Sequence, residues 1–240
     1  MYSKYETPLM KASLFYYDSV YSQETSKQVL DILLKYGFFP PLKIYAASMT
    51  KNKYISADED TGDLFVRSYS EKDILEIDMS SGDSRKVHEY WKANWGLTFL
   101  KNSHRTIKQP KTIPWNIFSL YSTYGLLKES EFYENYFNCI FDLIAALKPF
   151  FAAVDDVDNR VRLMSKEEHF VPDRIQQIYW GNYWGKNFCE KYGIDETEDI
   201  PTQNVRKIGD GFWFSLTDSA FDFNATECKI KRKIIRDRFL

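Results

Sequence analysis

"YWGNYWGKNFCEKYG", residues 179–193, sets two Trp-Gly pairs four residues apart. How it is read decides the second half of the fold. On a helix, a spacing of four puts Gly181 and Gly185 on nearly one face, with Trp180, Trp184 and Phe188 as the adjacent ridge. Each interior glycine costs about 1 kcal/mol relative to alanine. Burying each large aromatic contributes about 1.5–3 kcal/mol or more. The stretch therefore reads as a helix over about 173–192, stopped by Gly193, whose smooth groove lets another backbone approach closely. The rival use of the same side chains is a stacking platform for a sugar or base. Neither glycine pair has the G-x-G-x-x-G or G-x-x-x-x-G-K-[ST] form, so phosphate binding has little support.

Upstream, "SEFYENYFNCIFDLIAALKPFF" (130–151) is the strongest helical pattern. Phe132, Tyr136, Ile140, Leu143, Ile144 and Leu147 form one apolar stripe, with Ser130 as the expected cap and Pro149 as the stop. "RVRLMS" (160–165) reads as a strand, and "GDGFWFSLTDS" (209–219) as a turn into a strand. In the first half, a strand over 11–19 leads to a helix over 22–37 and a strand over 42–48. Between 52 and 125, "KYIS", "DLFVRSYS", "ILEIDMS", "WGLTFLK" and "WNIFSLYSTYG" read as short strands of an antiparallel meander. In "ILEIDMS" the alternation marks a strand with one wet face. Segments beginning at 13 and 119 share a weak strand, helix, Phe-Pro turn, strand echo. The expectation is α+β: an antiparallel meander sheet with amphipathic helices packed on it. One domain over 1–240 is preferred to a division into 1–125 and 126–240, because no low-complexity linker intervenes.

Aromatics are 17% of the chain, more than a monomer readily buries, which hints at a binding face. The net charge is −2, but residues 229–240 carry six Lys/Arg and one Asp, so the other 228 residues hold −7. A nucleic-acid binder more often has a basic body. The basic segment reads as a docked helix, capped at "NATE", with Ile230, Ile234 and Ile235 forming one apolar side. Cys139, Cys189 and Cys228 form no C-x-x-C, which argues against a disulfide framework or structural zinc. The sequence shows no signal core and no run of about 18 apolar residues, so a cytoplasmic chain off the membrane is expected.

Chemistry is sparse. His88, His104 and His169 lack metal-ligand spacing, and no G-x-S-x-G elbow occurs. Cys139 and Cys189 read as buried thiols. Three acidic clusters, 58–63, 155–158 and 195–199, fall at predicted turns or helix ends and read as solvated loops. None has the regular EF-hand pattern, and no metal or cofactor is expected. Together they can form a negative patch that steers a basic partner. Asp58, Glu59, Asp60 and Asp63, with Asp195, Glu196, Glu198 and Asp199, are the candidate partner-binding residues. A carbohydrate-active enzyme is an alternative, with carboxylates such as Glu167 and Glu168 about 5–9.5 Å apart across an aromatic cleft. A homo-oligomeric scaffold is another.

The order of a capped apolar helix, an extended segment, "YWGNYWG", "KYGI" and "VRKIGDGFWFSLTDSAFDF" resembles immunity proteins of bacterial polymorphic-toxin and contact-secretion (type VI-like) systems. The likeness covers roughly 115–225, and the basic final segment departs from it. It implies an α+β protein that occludes a cognate secreted toxin, without catalysis, and the mildly acidic body separately argues against a nucleic-acid partner. Trp180, Gly181, Tyr183, Trp184, Gly185, Gly211, Leu216 and Thr217 match the pattern and are implied to define the fold. The resemblance leaves open which surface meets the toxin and what the oligomeric state is.

Overall fold

The computed structural model describes residues 9–17, 22–41, 43–48, 52–56, 61–70, 74–81, 95–100, 115–157 and 177–239. Its frame is one ten-stranded sheet in which every neighbouring pair is antiparallel. The strands are β1 (Leu9–Tyr17), β2 (Lys43–Ser48), β3 (Asn52–Ser56), β4 (Ile74–Ser80), β5 (Trp95–Leu100), β6 (Trp115–Thr123), β7 (Phe151–Asp156), β8 (Gly181–Trp184), β9 (Asn204–Ile208) and β10 (Gly211–Ser215). Their order is β3-β2-β4-β5-β6-β1-β7-β8-β10-β9. The helices are α1 (Gln23–Lys35), α2 (Thr61–Ser70), α3 (Tyr124–Leu127), α4 (Ser130–Leu147), α5 (Lys186–Tyr192) and α6 (Thr226–Phe239).

β1 lies in the middle of the sheet, between β6 and β7. It is continuous with both halves of the chain. The two echoing segments do run strand, helix, turn, strand, and both crossovers return parallel to their first strand. They land differently: β2 lies four places from β1, whereas β7 lies two places from β6.

Helices α1, α2 and α4 pack together over one face. α1 is capped by Ser22, whose Oγ accepts from the Thr25 amide at 3.0 Å, and it buries Val29, Ile32 and Leu33. α4 differs from expectation at its start. Glu129, not Ser130, is the cap residue, and it makes no side-chain cap bond. Under these helices lies an aromatic core: Phe38 meets Trp95 edge-on at 5.5 Å, and Phe65 and Tyr69 close on Phe99. "DLFVRSYS", expected as a strand, lies in α2, because Phe65, Ser68 and Tyr69 recur at helical spacing and bury one side.

On the opposite face, α5 and α6 cover the β7–β8–β10 end, with Phe188 against Phe151 and Phe239 edge-on to Trp184. Towards β4 this face is a buried polar row. Thr98 Oγ1 donates to Asp78 Oδ1 at 2.6 Å, and the Ser13 and Ser119 hydroxyls lie 3.0 Å apart. The alternation in β4 holds, but its expected wet side is dry at Asp78 and Ser80. Hydrogen bonding is what makes that burial tolerable.

Candidate functional site

The Trp-Gly segment is not the expected helix. Gly181–Trp184 is strand β8, and Gly185 is the cap residue from which the short α5 starts. A spacing of four lies on one face of a helix, but it also lies on one face of a strand. Two contacts explain the glycines. A Cβ on Gly181 would stand 2.6 Å from the Trp213 ring, and one on Gly185 would stand 2.6 Å from the Pro149 carbonyl oxygen. Gly211 faces Trp184 O and the Tyr183 ring in the same way. The strand splits its aromatics between the two faces. Trp184 packs on Phe214 and Phe239, while Trp213, in register with Tyr183, packs on Phe141 of α4.

The backbone just before β8 is held by polar side chains. Asn182 folds back to bond both the amide and the carbonyl of Tyr179, each at 2.9 Å. Trp180 donates its amide to Asp155 Oδ2 at 3.2 Å and its indole N–H to Thr217 Oγ1 at 2.8 Å. Thr217 in turn donates to the Ser219 carbonyl, and the Leu216 amide closes on Trp180 O. Arg232 of α6 completes the group: Nε donates to the Ile178 carbonyl at 2.8 Å, and a terminal nitrogen lies 3.6 Å from Asp155 Oδ2. Asp155 is fully buried and lies on β7, so the 155–158 cluster is not the expected solvated loop at this position. Asp156, also buried, accepts from the Tyr124 hydroxyl at 2.9 Å.

Trp180, Tyr183, Trp184, Leu216 and Thr217 are all buried, so these side chains offer no open stacking surface. The thiols are poor nucleophiles as well. Burial pushes Cys189 and Cys228 up to about 11 and Cys139 higher still, leaving little thiolate near neutrality. Among the described residues no group of three His, Cys, Asp or Glu could hold a metal ion, and no helix is long and apolar enough to cross a membrane. An open groove of about 330 Å³ runs beside β9, lined by Asn204, Arg206, Trp213 and Asp218. Arg206 lies over the Phe141 ring at 4.1 Å, so its cation is already used in packing.

Asp58, Glu59 and Asp60 lie outside the described residues, as do His88, His104, His169, Glu167, Glu168 and residues 160–165. Asp63 is exposed in the first turn of α2. Asp195, Glu196 and Glu198 are exposed at the 3-10 turn Thr197–Asp199. Asp199 Oδ2 accepts the amides of Asp195 and Glu196 at 2.8 and 3.0 Å. The Glu196 and Asp195 amides hold its carboxyl below the usual range, with the Arg238 charge adding to this.

The whole architecture has a counterpart. The fold is similar to that of the Pseudomonas aeruginosa T6SS protein PA0821. The two superpose with a TM-score of 0.66 at 13% identity, over 97% of this chain and 74% of that one. No protein-family model matches the sequence, and no curated protein matches it either.

The arrangement of α6 was missed at the sequence level. Ile230, Ile234 and Ile235 do not share a side: Ile235 is buried, whereas Ile230 and Ile234 are 55% and 48% exposed. Cys228, Arg232, Ile235 and Phe239 make the inward stripe. Their i, i+4, i+7, i+11 spacing was the available signal, hidden by the arginine within it.

Proposed function

We propose that this chain is an immunity-type protein of a contact-secretion system, which binds a cognate secreted toxin domain in the cytoplasm and blocks it by occlusion, without catalysis. The observation that carries this reading is the fold likeness to a T6SS protein over 97% of the chain. It agrees with the sequence resemblance around the Trp-Gly motif. The physics of the interior supports the same view. The aromatics of the motif and the buried polar contacts around Asp155 hold strands and α6 together, which leaves recognition to the outer surface.

The test is co-expression with the toxin domain encoded beside it. The expected result is rescue of growth and co-purification of a stoichiometric complex. Continued toxicity together with no complex would remove the proposal.

A further inference from the structure

We propose that the outer face of α6 is the docking surface for the protein partner, and that the partner presents an apolar spot ringed by carboxylates. This rests on the binding role proposed above. Ile230 and Ile234 stand one turn apart and are about half exposed, two of the few large apolar side chains so exposed among the described residues. Lys229, Lys233 and Arg236 are exposed beside them. Lys229 and Lys233 make no ion pair among the described residues, whereas Lys231 is tied to Glu227 at 2.7 Å.

The helix is a fixed ledge. Its inward stripe is used by the protein itself, through Arg232 on Ile178 and Asp155 and through Phe239 on Trp184 and Tyr192. The exposed isoleucines are therefore presented without a conformational change, and a preorganised apolar pair inside a charged rim is how protein interfaces are built.

The charge decides the partner's chemistry. The basic ledge belongs to a chain whose other 228 residues carry −7, so it complements an acidic surface. A membrane-surface helix needs a broad apolar face to insert, and here that face is turned inward. A nucleic-acid track would place its cations along a phosphate path. Here they bracket two isoleucines, and Arg232 is buried on Asp155. The acidic turn at 195–199 is the weaker docking candidate. Asp199 is spent on capping, Glu198 accepts from the Thr197 hydroxyl at 2.9 Å, and the isoleucines that flank the turn, Ile194 and Ile200, are both buried.

The experiment uses the purified full chain and the purified toxin domain from the adjacent reading frame, with affinity measured by titration calorimetry at low and high salt. I230A/I234A and K229E/K233E are each expected to weaken binding about tenfold or more, the second variant losing most of the salt dependence. E196K/E198K is expected to stay within about twofold of the wild type. Unchanged thermal unfolding shows that the variants are folded. Hydrogen exchange of the unaltered chain gives a second reading: the amides of 226–239 should be slowed in the complex. If the wild type binds and both α6 variants bind equally well, the docking surface lies elsewhere and the immunity reading stands. If the wild type does not bind, the immunity reading fails and this inference falls with it. Loss of self-association, or of binding to anionic vesicles, in the α6 variants with toxin affinity unchanged would also overturn it.

Discussion

At Gly185 a methyl group would meet the Pro149 carbonyl and the Phe150 backbone, none of which can rotate away. At Gly181 it would meet the edge of a buried indole. Gly185→Ala should therefore cost about 1–3 kcal/mol by overpacking, read as a lower urea midpoint with an unchanged slope. The buried pair makes a larger demand. Arg232→Met removes the guanidinium nitrogen 3.6 Å from the buried Asp155 carboxylate together with the Nε donor to the Ile178 carbonyl, and should cost about 3 kcal/mol. Asp199 gives a pH signature. Its folded carboxyl is held below its unfolded value, so the stability it adds is present above about pH 4 and is lost as pH falls through the folded value. The gap between wild type and Asp199→Asn should shrink towards zero on acidification in chemical unfolding, and a gap that persists in acid would contradict this assignment.

At the scale of elements, what could be read depended on whether a spacing had one meaning or two. α1 and α4 were legible because their apolar stripes run for about two turns or more. β4 was legible from alternation, β1 from its run of aromatics and β10 from the turn that leads into it. β8 was not, because four is a multiple of two as well as nearly one helical turn. The collisions that exclude alanine at Gly181 and Gly185 come from Trp213 and Pro149, distant in sequence or outside the motif. The surface that carries the docking proposal was half legible: the charge of α6 was plain, its rotation about its own axis was not. That rotation is fixed by Phe239, which meets Trp184 at 5.2 Å and Tyr192 at 6.2 Å. Phe239→Ala should cost about 1–3 kcal/mol, below the value for a fully buried phenylalanine. It should speed amide exchange in 226–239 before the rest of the sheet. Uniform acceleration across β1 and β6 instead would mean that α6 is not a separate docking layer.

For the molecule as a whole, the strand order was the feature no local pattern could supply. Periodicity predicts that β1 is a strand, but not that it lies between β6 and β7. This placement bears on the single-domain expectation. A fragment of 126–240 contains β7, β8, β9 and β10 but lacks the neighbour that β7 pairs with on its other side. Expressed alone, it should show no cooperative unfolding transition, and mixing it with 1–125 should restore one. A sharp independent transition for either piece would mean two domains.

The Ser13–Ser119 contact, 106 positions apart, sets a schedule for a nascent polypeptide. The opening strand emerges from the ribosome long before either flanking strand has been translated, and such distant pairings close slowly. Its Leu14 and Tyr16 must meanwhile be shielded by something else, so a folding helper acting early in translation would be expected to govern the yield of finished protein.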